Sequence, residues 1–129
     1  MRRVLIDTNI YVGFKRNDAS VVNAFRSLDL IGVDVCVLAE LYSGFRLGQR
    51  FEQNDHELKQ FLNNPRVRVY SHDIETAEFY SHVYAELRKK ARPIPTNDMW
   101  IAAVARQHGL TVYSKDRHFE YIDGLILRT

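Results

Sequence analysis

Short apolar runs alternate with stretches of helical periodicity along the whole chain, and this alternation constrains the fold more than any other feature. Val4-Leu5-Ile6 is continuous rather than alternating, as expected for a strand buried on both faces of a parallel sheet. A first helical turn or two follows from Asn9 to Arg16. Asp18 or Ser20 can cap a helix with Val21, Val22, Phe25 and Leu28 on one side. Gly32 punctuates that helix, and Val33 to Cys36 reads as a second strand. Leu38, Leu41, Tyr42 and Phe45 fall at i, i+3, i+4 and i+7 of the next helix, with Gly44 or Gly48 near its end.

The second half repeats the pattern. Asp55 is the expected cap of a helix holding Leu58, Phe61 and Leu62, stopped at Asn63-Asn64-Pro65. Val67-Arg68-Val69-Tyr70 alternates and predicts a strand. Asp73 then caps a long helix with Ala77, Tyr80, Tyr84 and Leu87 at helical spacing. Its basic end, Arg88-Lys89-Lys90-Ala91-Arg92, suits the helix dipole. Beyond Pro93 and Pro95, Thr96 is the expected N-cap of a helix through Gln107, and Gly109 fits its C′ position. Leu110 to Tyr113 reads as a strand, a loop carries Asp116, and Leu125-Ile126-Leu127 is a last short strand. Strands alternating with helices predict a three-layer α/β/α domain with a central, mainly parallel sheet.

The 129 residues suit a single domain spanning 1–129. With 46% apolar and 26% charged residues the chain reads as soluble and globular. No apolar run approaches the roughly 18 residues of a membrane span. The stretch after Met1-Arg2-Arg3 is too short for a signal sequence and reads as the first strand. Cys36 is the only cysteine, which excludes an intrachain disulfide and sets a reducing, cytoplasmic location as the expectation.

Four acids stand where such a fold builds a site. Ligands of open parallel sheets bind outside the carboxyl ends of the strands, where the strand order reverses. Asp7 follows the first strand and Asp116 a late one, while Glu40 and Asp98 fall in the first turn or so of helices that face the same edge. Taken singly, each is also an ordinary helix-start or loop acid. Four carboxylates in one cavity resist ionisation unless a cation joins them. A hard divalent ion takes oxygen ligands, keeps several waters and lowers the pKa of a bound water. The five histidines show no zinc-motif spacing, and no P-loop, Gly-x-Gly-x-x-Gly or Gly-x-Ser-x-Gly is present. Removing the four acids from the 16 acidic residues leaves 12 against 18 Lys and Arg, a mildly positive body around a negative pocket. That pattern suits a metal that must meet a polyanion, although a pI of 8.8 is also commonplace.

The motifs that carry these acids resemble the PIN domains, in particular VapC-type toxins of prokaryotic toxin–antitoxin pairs. They are Val4-Leu5-Ile6-Asp7-Thr8-Asn9, Glu40-Leu41-Tyr42-Ser43-Gly44, Asn97-Asp98-Met99-Trp100-Ile101-Ala102-Ala103-Val104-Ala105 and Tyr113-Ser114-Lys115-Asp116-Arg117-His118-Phe119. The resemblance implies Mg²⁺ or Mn²⁺ held by Asp7, Glu40, Asp98 and Asp116, directly or through water. It also implies cleavage of single-stranded RNA by metal-activated water, leaving a 5′-phosphate and a 3′-hydroxyl. Thr8 or Asn9 would orient Asp7, and Ser114 would fill the family's Thr/Ser position beside the metal; turn and capping chemistry is the plain alternative for Asn9 and Ser114. A homodimer and an antitoxin partner are further implications. The chain departs from many relatives at Val37, where they carry the Ser or Thr of a capping box ending in the glutamate.

Other features admit two readings. Arg88 to Arg92 is either a phosphate-binding strip or a solvated helix end. Tyr80 and Tyr84 suit a core or dimer interface, or a platform for bases. Trp100 reads as packing. Two rival functions remain. A response-regulator receiver has similar length, an acid after its first strand and a late lysine, matched by Asp7 and Lys115, but needs a mid-chain strand-end aspartate that Asp55 does not supply. A non-catalytic RNA-binding module is the other, against which the complete acidic set stands.

Overall fold

In the computed structural model, which describes residues 2–123, 125, 127 and 128, five strands form one sheet in the order β3-β2-β1-β4-β5. The strands are β1 (Arg3–Ile6), β2 (Leu30–Asp34), β3 (Val67–Tyr70), β4 (Thr111–Tyr113) and β5 (Leu127–Arg128). Every pairing among them is parallel. Among the described residues six α-helices lie between them: α1 (Thr8–Lys15), α2 (Ala19–Arg26), α3 (Val35–Leu47), α4 (Phe51–Leu62), α5 (Ile74–Lys90) and α6 (Thr96–His108). The result is the expected three-layer α/β/α arrangement. β1 lies in the middle of the sheet, and Leu5 and Ile6 are fully buried, which accounts for its continuous apolar run. No described helix is long and apolar enough to cross a membrane.

The chain adds β2 and β3 on one side of β1 and then crosses back to place β4 on the other. The strand order therefore reverses between β1 and β4, and a crevice opens at their carboxyl ends. The backbone N–H of Asp7 donates to the Tyr113 carbonyl at 2.9 Å, which ties the two strand ends together just there.

Several boundaries differ from the sequence expectation. β2 begins at Leu30, so Gly32 lies inside the strand instead of ending a helix. A Cβ at Gly32 would stand 2.8 Å from Tyr70 Cε2 and 3.1 Å from the Val4 carbonyl oxygen, so the glycine is there to let Tyr70 cross the sheet face. Gly32→Ala should accordingly lose about 1–3 kcal/mol of stability in chemical denaturation, because neither a ring nor a strand backbone moves cheaply. An unchanged midpoint would show that the face is loosely packed.

Helix α4 starts at Phe51 with no side-chain cap, and Asp55 lies inside it, paired with Lys59 at 2.9 Å. Aromatic contacts of Phe51 with Tyr42 and Phe45 do the work a cap would have done. On α5, capped as expected by Asp73, the buried positions are Thr76, Val83 and Leu87, while Ala77 and Tyr84 are exposed. Thr76 faces inward because its hydroxyl donates to Gln107 of α6 at 2.6 Å. Pro95, not Thr96, is the N-cap of α6. Gly109 ends α6 in the left-handed region at φ 65°, as expected. The last strand falls at Leu127–Arg128; of the predicted run, Ile126 lies outside the described residues.

Candidate active site

Asp7, Glu40, Asp98 and Asp116 all line one cleft of about 640 Å³, together with Thr8 and Asn9. Each is brought there by a local device. Asp7 ends β1 and caps α1, its Oδ1 accepting from the Thr8 N–H at 2.8 Å. Asp98 sits in the first turn of α6 and Asp116 caps the 3-10 turn Arg117–Tyr121, with Oδ1 accepting from the His118 N–H at 3.0 Å. Glu40 lies one turn further into its helix than expected, because Asp34 caps α3 and the helix begins at Val35. Val37 is therefore a fully buried core residue, and a capping box ending at Glu40 does not form.

Ser114 organises the strand ends. The residue is 3% exposed, and its hydroxyl donates to Asp7 Oδ2 at 2.7 Å and accepts from the Asp116 N–H at 2.9 Å. Asn9 bridges the same groups, its amide 3.4 Å from both Asp7 Oδ2 and Ser114 Oγ and its Oδ1 accepting from the Lys115 N–H at 3.2 Å. Asp7 and Asp98 are 5% and 7% exposed, unusual for carboxylates without a fixed cation. Burial raises the pKa of Asp7, with the negative charge of Asp116 adding to it against the hydrogen bonds from Ser114 and Thr8. Burial and then Asp7 raise Glu40. Asp98 is pushed up to about 6, chiefly by burial and further by Asp7 and Asp116.

In the sequence His118 stands two residues after Asp116 in the last of the four motifs, with no site role assigned to it. The 3-10 turn folds it back so that Nδ1 lies 3.0 Å from Asp98 Oδ2 and 3.0 Å from Asp116 Oδ1. These acids, Asp98 foremost, raise its pKa. Asn97 and Thr8 approach Glu40 and favour its charged form. Yet Thr8 Oγ1 is buried with no hydrogen-bond partner of full geometry. The basic side chains on the cleft are Arg16 and Lys115, the latter paired with Asp18 at 2.5 Å. Within the run Arg88–Arg92, Lys90 bonds Asp123 at 2.7 Å, and Arg92 lies 5.1 Å over the Tyr121 ring.

The donor set fits a hard divalent cation. Its ligand-type atoms are carboxylate oxygens joined by one imidazole nitrogen, that of His118 beside Asp98 and Asp116; three of the acids have raised pKa values, and an orphaned hydroxyl stands nearby. A proton and a cation therefore compete for Asp98. In metal-free protein its charged form is penalised by about 3 kcal/mol relative to the unfolded chain. The penalty is full above the folded pKa of about 6 and is relieved as pH falls toward the unfolded value of 3.8. With chelator, the stability of wild type relative to Asp98→Asn should thus rise by about 1 kcal/mol between pH 7 and pH 5. Denaturant melts at the two pH values measure it; a falling difference would mean that Asp98 is not a buried, repelled carboxyl.

A parallel α/β/α domain with an acidic, oxygen-donor crevice at its topological switch point is the class that fold and site define. Within that class the chain belongs to the PIN domain family, whose model matches residues 4–125. It is similar to ribonuclease VapC2 of Haemophilus influenzae, 31% identical over 128 residues that cover 97% of this chain and 96% of the relative. The tRNA(fMet)-specific endonuclease VapC of Shigella flexneri is 30% identical, with the same coverage of 97% and 96%. Among solved structures, VapBC2 from Rickettsia felis, bound to a DNA fragment from its promoter, superposes with a TM-score of 0.87 at 30% identity. That match covers 97% of this chain and 96% of the other.

Proposed function

We propose that the chain is a single-domain, divalent-metal-dependent endoribonuclease that cleaves single-stranded RNA as the toxin of a toxin–antitoxin pair. The observation that carries this reading is the convergence of Asp7, Glu40, Asp98 and Asp116 on one cleft at the switch point of the sheet. The ribonuclease names of the relatives and the toxin–antitoxin complex among the structural neighbours support it. An antitoxin that covers the cleft, a homodimer and a cytoplasmic location belong to the same proposal. The strand order β3-β2-β1-β4-β5 speaks against a receiver module, whose sheet runs 2-1-3-4-5.

In this reading Asp7, Glu40, Asp98 and Asp116 hold Mg²⁺ or Mn²⁺, directly or through water. When bound, such an ion supplies Lewis acidity toward the phosphodiester and acidifies water beside it. The protein's own part is positional. Ser114 and the Thr8 N–H fix both oxygens of Asp7, so that side chain does not reorganise during reaction. His118, drawn toward Asp98 and Asp116, steadies the more exposed side of the acid set. Arg16 and Lys115 set positive charge on the cleft, where an RNA backbone enters. Purified protein should cleave single-stranded RNA only with Mg²⁺ or Mn²⁺ and leave 5′-phosphate and 3′-hydroxyl ends. Cleavage that persists in chelator, or cyclic-phosphate ends, would place the chemistry elsewhere.

A further inference from the structure

A second group of ligand-type side chains is assembled from distant parts of the chain. Asp34 closes β2 and caps α3, Cys36 follows in the first turn of α3, and His72 comes from the segment between β3 and α5. Asp34 is fully buried. His72 Nε2 lies 2.8 Å from its Oδ1 and 3.0 Å from its Oδ2, and the Cys36 thiol donates to the same Oδ2. One nitrogen, one sulfur and one carboxylate oxygen thus lie within 4.8 Å of one another. The His72 ring is held in place by stacking on Trp100, 4.4 Å between centroids and 12° between planes. Capping α3 requires only the bond from the Cys36 N–H to Asp34 Oδ2, at 3.2 Å. Neither the thiol nor the imidazole is needed for that.

We propose that Asp34, Cys36 and His72 form a second metal site, adjoining the acidic cleft but with none of its ligands, that takes Zn²⁺ or a similarly borderline-soft ion. Mixed N, S and O donors suit such an ion and not Mg²⁺. A tetrahedral ion at about 2.0–2.3 Å from its ligands spaces them roughly 3.3–3.6 Å apart. To take the ion, the contact of His72 Nε2 with Asp34, now 2.8 Å, opens by about half an ångström, and that of Cys36 Sγ with Asp34 Oδ2, now 2.5 Å, by about one ångström, through side-chain rotations. Binding converts the Cys36 thiol to a thiolate: the S–H proton leaves to solvent as the sulfur–metal bond forms, without change of oxidation state. Burial and the adjacent Asp34 raise the pKa of the thiol, so the ion-free site holds that proton. One divalent ion with a thiolate, a carboxylate and a neutral imidazole is charge-neutral, which lowers the cost of keeping it partly buried. Cys36 Sγ also lies 3.7 Å from the Asn97 carbonyl oxygen, beside Asp98. The ion would steady the starts of α3 and α6, the helices that carry Glu40 and Asp98.

Cobalt reads the sulfur ligand directly. Chelator-stripped full-length protein is titrated with Co²⁺ in excess Mg²⁺, which occupies the oxygen cleft. Wild type and Asp98→Asn should both show one equivalent of thiolate-to-cobalt charge-transfer absorption, bleached by Zn²⁺. Cys36→Ser and His72→Gln should lose it while keeping the wild-type circular dichroism. In unsubstituted protein, Zn²⁺ but not Mg²⁺ should slow alkylation of Cys36 at least tenfold, a readout that needs no variant. No charge-transfer band in wild type, a band that survives in Cys36→Ser, its loss in Asp98→Asn, or alkylation indifferent to Zn²⁺ would overturn the proposal.

Discussion

Asp98→Asn should lower metal-dependent RNA cleavage by about three orders of magnitude, and Asp7→Asn by a similar factor. Each change removes a charge with little change of volume from a cleft whose function, on this account, is to hold a cation against a phosphodiester. Loss of that electrostatic stabilisation is worth several kcal/mol in the transition state, and each 1.36 kcal/mol is a factor of ten. Both variants should remain folded, since burial first, and the neighbouring acids second, disfavour the charged carboxyls they replace in the absence of metal. Single-turnover cleavage of a labelled single-stranded RNA, with Asp123→Asn as an exposed acidic control, measures the effect. Cleavage at wild-type rates by either variant, in protein free of contaminating nuclease, would remove that residue from the site.

Much of the site was legible because the features that place it are local. Asp7 follows a continuous apolar run, and that run announces a buried strand end. Asp98 follows two prolines and opens a helix, so its position near a helix start could be read directly. The convergence of the four acids required the strand order as well, and the order is a property of the whole sheet. His118 was not legible, because a 3-10 turn has no hydrophobic period to mark it. Gly32 read as punctuation because nothing in the sequence reports that Tyr70 crosses it. The start of α4 was misplaced because aromatic packing, not a capping side chain, sets it. Asp34, Cys36 and His72 escaped notice for the same reason as the strand order: β3 must lie beside β2 before His72 can reach Asp34.

The central claim is that Asp7, Glu40, Asp98 and Asp116 form one cation-binding cleft, and thermal melts test it without substrate. Mg²⁺ or Mn²⁺ binds the folded state, where the acids converge, and hardly the unfolded chain. Mass action then adds about 2.7 kcal/mol at a hundredfold excess over Kd. For a domain of this size that corresponds to a rise in Tm on the order of 5–15 °C. Asp7→Asn should act oppositely in the two conditions. In chelator it relieves repulsion and leaves Tm unchanged or higher, and in metal most of the increment disappears. Asp123→Asn, on the exposed far side of an ion pair with Lys90, should keep the full metal increment. Wild type, Asp7→Asn and Asp123→Asn melted with chelator and with Mn²⁺ give the answer. A metal increment largely lost in Asp7→Asn and kept in Asp123→Asn is the result predicted; an increment fully retained in Asp7→Asn would contradict the account at its centre.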